Sequence, residues 1–131
     1  MENYLTHTIT KVTGQYGLEA MKALTEYVVQ PMVLVDKHAT LTYYNSAALE
    51  EFRRLWNVTI SLGSNFLEYL PTDVHKEFSN ALLVVTSGSV DYHLLRPDYG
   101  FHFIPVQESL DRNPWGIWIV VTKEKLEKAQ P

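Results

Sequence analysis

The chain has 131 residues, 46% hydrophobic and 20% charged, which suits one domain with a modest core. Its net charge of −4 gives no basic footprint for nucleic acid, and its longest apolar runs, such as residues 117–121, are far too short to span a bilayer. There is no cysteine, which excludes disulfides, thiolate metal sites, cysteine nucleophiles, thioether-attached haem and cysteine-held iron–sulfur clusters.

Residues 1–13 are polar and threonine-rich, without the apolar centre of a signal peptide, so the expected location is the cytoplasm. Residues 14–17 look like a break. From Leu18 to Val29 the apolar residues Leu18, Met21, Leu24, Tyr27 and Val28 advance by three or four, which predicts an amphipathic helix stopped by Pro31. Residues 32–36 form a β-branched apolar run and residues 40–44 alternate, which predicts two strands joined without a tight two-residue turn. Asn45 and Ser46 are capping residues, and Ala48, Leu49 and Phe52 follow at helical spacing.

Beyond Phe52, residues 64–71 predict a short capped helix ended by Pro71. Thr72 and Asp73 can cap a longer helix over 74–86, with Val74, Phe78, Leu82 and Val85 inward and Gly88 at its end. Strands are predicted at 90–96 and 101–107, flanking the Pro97–Gly100 turn signal, and at 115–122 after the polar loop 109–114. If Arg96 pairs with Phe101, then Tyr92, Leu94, Phe101 and Phe103 share one face, while Asp91, His93, His102, Ile104 and Val106 share the other. The last strand is apolar on both sides, with Trp115, Ile117, Ile119 and Val121 opposite Trp118 and Val120, so both sides need cover. The helix over 18–29 is the obvious second cover. Residues 123–131 read as a charged helical linker.

This order resembles a PAS domain over residues 31–122. The matching residues are Asp36, Tyr44, Asn45, Ala47 and Phe52 at the opening, then Gly63-Ser64-Asn65-Phe66 before Pro71, then the long helix ending at glycine before three strands. Where PAS cores commonly finish in Asp-Ile-Thr, this chain has Val120-Val121-Thr122. The resemblance implies an α+β fold: a five-stranded antiparallel sheet with helices on one face and an N-terminal capping helix, carried by an N-terminal segment over 1–30 ahead of the core. It also implies a sensory or regulatory role in signal transduction, such as a two-component system. The effector would be a histidine kinase, nucleotide cyclase or transcription regulator of the same or another chain. The lack of cysteine rules out the adduct chemistry of LOV domains and photoactive yellow protein.

A small ligand would lie between the long helix and the sheet, lined by Phe66, Phe78, Leu82, Tyr92, Leu94, Phe101 and Phe103; a fully packed core is the alternative. Haem-binding PAS domains take an iron ligand from this helix, which singles out His75, but Val74 rather than His75 shares the face of Phe78. His93, His102 and Asp91 could bind zinc, though a solvated sheet face accounts for them more simply, and no metal site is assigned. No catalytic motif is present, and Glu50, Glu51 and Glu68 read as solvent-facing; a small isomerase or hydrolase is the enzyme alternative. The expected assembly is a homodimer through residues 16–29, because Tyr16, Ala20, Ala23 and Tyr27 would otherwise lie unpacked beside an outer sheet patch of Trp118, Val120, Ile104 and Val106. Neither nucleic acid nor membrane insertion is expected.

Overall fold

A computed structural model describes residues 18–26, 30–88, 91–97, 99–106 and 116–122. Helix α1 (Leu18–Thr25) precedes strands β1 (Met32–Asp36) and β2 (Leu41–Tyr44). Helix α2 (Ser46–Trp56), a 3-10 turn (Phe66–Tyr69) and the long helix α3 (Thr72–Gly88) follow. Strands β3 (Tyr92–Leu95), β4 (Gly100–Val106) and β5 (Gly116–Thr122) close the fold. All pairings are antiparallel, in the order β2-β1-β5-β4-β3, so the first hairpin lies against the last strand. This is the α+β architecture that the sequence predicts.

Local chemistry sets the joints. Asp36 Oδ1 accepts from the backbone N–H of His38 and Thr40 at 2.8 and 2.9 Å, and Ala39 takes a φ of 68°, so a side chain replaces the glycine a tight turn would need. The free edge of β2 is covered by the segment before the 3-10 turn: Leu41 N–H donates to the Ser64 carbonyl and Gly63 N–H to the Leu41 carbonyl, both at 2.8 Å. Helix α3 starts two residues before the predicted Val74, because the His75 N–H already donates to the Pro71 carbonyl at 2.7 Å. Helix α2 ends at Asn57 in the left-handed region, φ 55°. Asn57→Gly should therefore raise stability by about 0.5 kcal/mol, read as a higher melting temperature; a lower one would place the strain elsewhere.

The central strands β1, β5 and β4 are buried on both faces, while β3 leaves His93 and Leu95 exposed. Toward α2 and α3, Val33, Val35, Ile117, Ile119, Val121, Phe101 and Phe103 join Phe52, Phe66 and Phe78 in the main core. On the outer face Met32, Leu34, Ile104, Val106, Trp118 and Val120 form a second cluster that includes Met21 of α1. The outer patch of Trp118, Val120, Ile104 and Val106, for which the sequence names the helix over 18–29 as cover, is thus buried within one chain. The predicted stripe of α1 is rotated: Met21 and Thr25 are buried, whereas Leu24 is 47% exposed. The cause is Thr25, whose hydroxyl and carbonyl are both bonded to the end of β2 and the residue after it, turning Leu24 outward. Tyr16, Tyr27, Val28, Trp115, the loop 109–114 and the tail 123–131 lie outside the described residues, as do the side chains of Leu18 and Ala20.

Candidate functional site

The seven residues predicted to line a ligand site come together, and their rings touch. Phe78, with no exposed surface, sits edge-on to Phe101 and Phe103 at centroid distances of 4.7 and 5.1 Å. Phe66 lies 6.1 Å from Phe78, and Tyr92 lies 6.1 Å from Phe103. These are the spacings of direct aromatic packing. Leu82 is buried in the same core, and Leu94 and Tyr92 pack on it half-buried. Trp56, half-buried at the end of α2, stacks on Phe52 at 5.4 Å and on Phe101 at 6.0 Å, a rim residue that the sequence reading omitted.

A polar junction lies at the other end of the hairpin. Asn45, 1% exposed, uses every hydrogen-bonding position of its amide. Its Oδ1 accepts from the backbone N–H of Ala48, capping α2, and of Met32, both at 3.0 Å. Its Nδ2 donates to the carbonyls of Thr25 and Gln30, also at 3.0 Å. Beside it the Tyr43 hydroxyl lies 2.9 Å from the Lys22 carbonyl, 2.8 Å from Glu26 Oε2 and 2.9 Å from Thr25 Oγ1, so one phenolic proton serves alternative acceptors. The other Glu26 oxygen accepts from the Ser46 hydroxyl at 3.2 Å. The capping role of Asn45 is readable in sequence. Its grip on Thr25 and Gln30, twenty and fifteen residues earlier, leaves no sequence signal.

Burial holds the Tyr43 phenol above its ordinary ionisation range, and the adjacent Glu26 carboxylate adds to the shift, outweighing the opposing hydrogen bond with Thr25. At Tyr69 burial pushes the same way, but hydrogen bonds from Ser61 and Ser64 outweigh it and hold the phenol low. The signs oppose. A raised phenol contributes stability that is complete below its unfolded value near pH 10 and is lost as pH rises through the folded value. Tyr43→Phe should remove a late phase from an absorbance titration at 295 nm, and Tyr69→Phe an early one; the reverse order would contradict these environments.

By sequence, no family model matches the chain and no curated protein matches it. By structure, it superposes on the PAS domain of BvgS from Bordetella pertussis with a TM-score of 0.66, at 20% identity, covering 88% of this chain and 91% of that one. A sensory box sensor histidine kinase from Vibrio cholerae gives 0.60 at 13% identity, covering 87% and 96%. A PAS domain from Colwellia psychrerythraea gives 0.56 at 11%, covering 82% and 96%. The chain has the PAS fold.

Within this PAS fold His75, His93 and His102 fall away from the aromatic core. His75 is on the exposed side of α3, while its neighbour Val74 is buried beside Phe78. His93 and His102 lie on the outer face directly opposite one another, with ring centroids 3.7 Å apart, where the Arg96–Phe101 pairing expected from the sequence would set them diagonally. Asp91 Oδ2 lies 3.6 Å from His102 Nε2, and His102 is buried. Among the described residues no group of three or more His, Asp or Glu is placed to hold a metal ion. Glu51, expected in solvent, is instead buried and paired with Arg54; Glu50 and Glu68 are exposed. Among the described residues no helix is long and apolar enough to cross a membrane.

Proposed function

We propose that this chain is a sensory or regulatory domain without catalysis of its own, which biases a signalling effector such as a histidine kinase, nucleotide cyclase or transcription regulator. The observation that carries this reading is the bonding of α1 to the junction that starts α2. A segment entering the domain is thereby joined to the element that packs on its core. The sensor kinase among the structural neighbours supports the same reading. Joined ahead of a sensor-kinase catalytic region, the domain should change autophosphorylation several-fold when residues 1–29 are removed, and unchanged output would refute the reading.

The input is a small apolar ligand or a protein partner. A ligand among Phe66, Phe78, Tyr92, Phe101 and Phe103 has to part rings already in contact, which favours a flat apolar molecule. Mass spectrometry of molecules released from protein purified from its native host tests this. A retained compound supports the ligand, and its absence from protein of intact mass supports the partner.

The assembly proposed is a homodimer through the outward side of α1, where Leu24 and Ala23 are exposed. Leu24→Lys should shift sedimentation from dimer toward monomer without unfolding the domain, since Leu24 makes no part of either core cluster. A wild-type chain that stays monomeric at high concentration would contradict it.

A further inference from the structure

We infer that Asn45 acts as a cap shared by two helices, a latch that sets whether α1 is formed and docked independently of whether α2 is formed. The inference deepens the regulatory reading above and rests on it only for its purpose.

An eight-residue helix is marginal by itself, and its last carbonyls lack partners within the helix. In α1 two of those carbonyls are bonded by side chains from elsewhere: Lys22 by Tyr43, which shares it with the hydroxyl of Thr25 in the helix itself, and Thr25 by Asn45 Nδ2. The Asn45 amide is therefore divided. Its oxygen holds the N-terminus of α2 and the β1 backbone, and its nitrogen holds the C-terminus of α1 and the connection at Gln30. Rotating this side chain cannot satisfy one helix at the other's expense without leaving buried groups unpaired, so the arrangement has two states rather than a gradient.

Two observations show what release would uncover. Met21 belongs to the outer-face cluster over Trp118, Leu34 and Val120, so freeing α1 opens a buried apolar sheet face. The Trp118 indole, with no exposed surface, keeps its Nε1 proton without a hydrogen-bond partner among the described residues. A buried unpaired donor weakens the closed state and favours any arrangement that lets the indole meet an acceptor.

Asn45→Asp separates the two roles. Aspartate is as good an N-cap as asparagine, so α2 keeps its acceptor, but both donors are lost and a carboxylate faces the Thr25 and Gln30 carbonyls. Hydrogen exchange read by mass spectrometry on the full chain should show residues 18–26 exchanging at least about tenfold faster, as expected for two lost hydrogen bonds. Residues 46–56 should stay within about threefold of wild type. Tyr43→Phe should loosen 18–26 in the same selective way by a smaller factor, and it serves as the test should Asn45→Asp fail to fold. Equal loosening of both segments, or no change at 18–26 in either variant, would overturn the shared cap. A protein that passes this test while a fused kinase ignores α1 would refute the regulatory reading and leave the latch standing.

Discussion

Phe78→Ala should lower the unfolding free energy by about 3–5 kcal/mol, the cost of removing a buried phenyl ring whose neighbours cannot fully collapse. The size of the loss follows from what the ring touches. Phe78 has no exposed surface and meets Phe66, Phe101 and Phe103 at once, so its removal deprives both the long helix and the β4 face of their shared contact. Set against a total stability of about 5–15 kcal/mol, the variant stands near the edge of folding at room temperature. Urea unfolding measures this directly, with the midpoint falling and the slope unchanged. The void left behind is apolar and should stay dry, so benzene should partly restore the midpoint. A loss under about 1 kcal/mol would show that the space beside Phe78 was already open.

Trp118→Ala should cost about 3 kcal/mol or more on the opposite face of the sheet, by the same mechanism. Here the accompanying effect differs. Trp118 lies edge-on to Tyr43 at 6.0 Å and shares its cluster with Met21, so its loss should also loosen α1. Trp118→Phe should cost far less, because the unpaired buried N–H that it removes is worth about 1–3 kcal/mol and offsets the smaller ring. If phenylalanine is as damaging as alanine, the indole N–H has an acceptor after all.

How far these features were readable depends on which interactions are local. The order of elements followed from patterns contained within each segment: β-branched runs, the Asn45 cap, and the glycine that closes α3. The two faces of β3 and β4 were also readable, even though their register was not. The sequence pairs Arg96 with Phe101, whereas the structure pairs Leu95 with Gly100. Arg96 N–H donates to the Tyr99 carbonyl at 2.8 Å and closes the turn tighter, sliding the pairing by two residues. A slip of two keeps every side chain on its face, so Tyr92, Leu94, Phe101 and Phe103 still join the core. It does bring His93 directly opposite His102. The rotation of α1 was hidden for a different reason. Apolar spacing alone places Leu24 inward, but Tyr43 and Asn45 bond the Thr25 side of the helix instead. For the candidate ligand site, apolar residues on facing elements were legible; whether they enclose space or fill it depends on ring orientations that no pattern encodes.

Native-state hydrogen exchange in low concentrations of denaturant, on the unmodified chain, tests most directly whether α1 is a separable element on a stable core. The account predicts two tiers. Amides of residues 22–25 should exchange through a smaller opening with a shallow denaturant dependence, while those of α2 and β5 exchange only through global unfolding. A single free energy and a single slope across α1, α2 and β5 would contradict it, and would make the domain one cooperative unit with no part free to move alone.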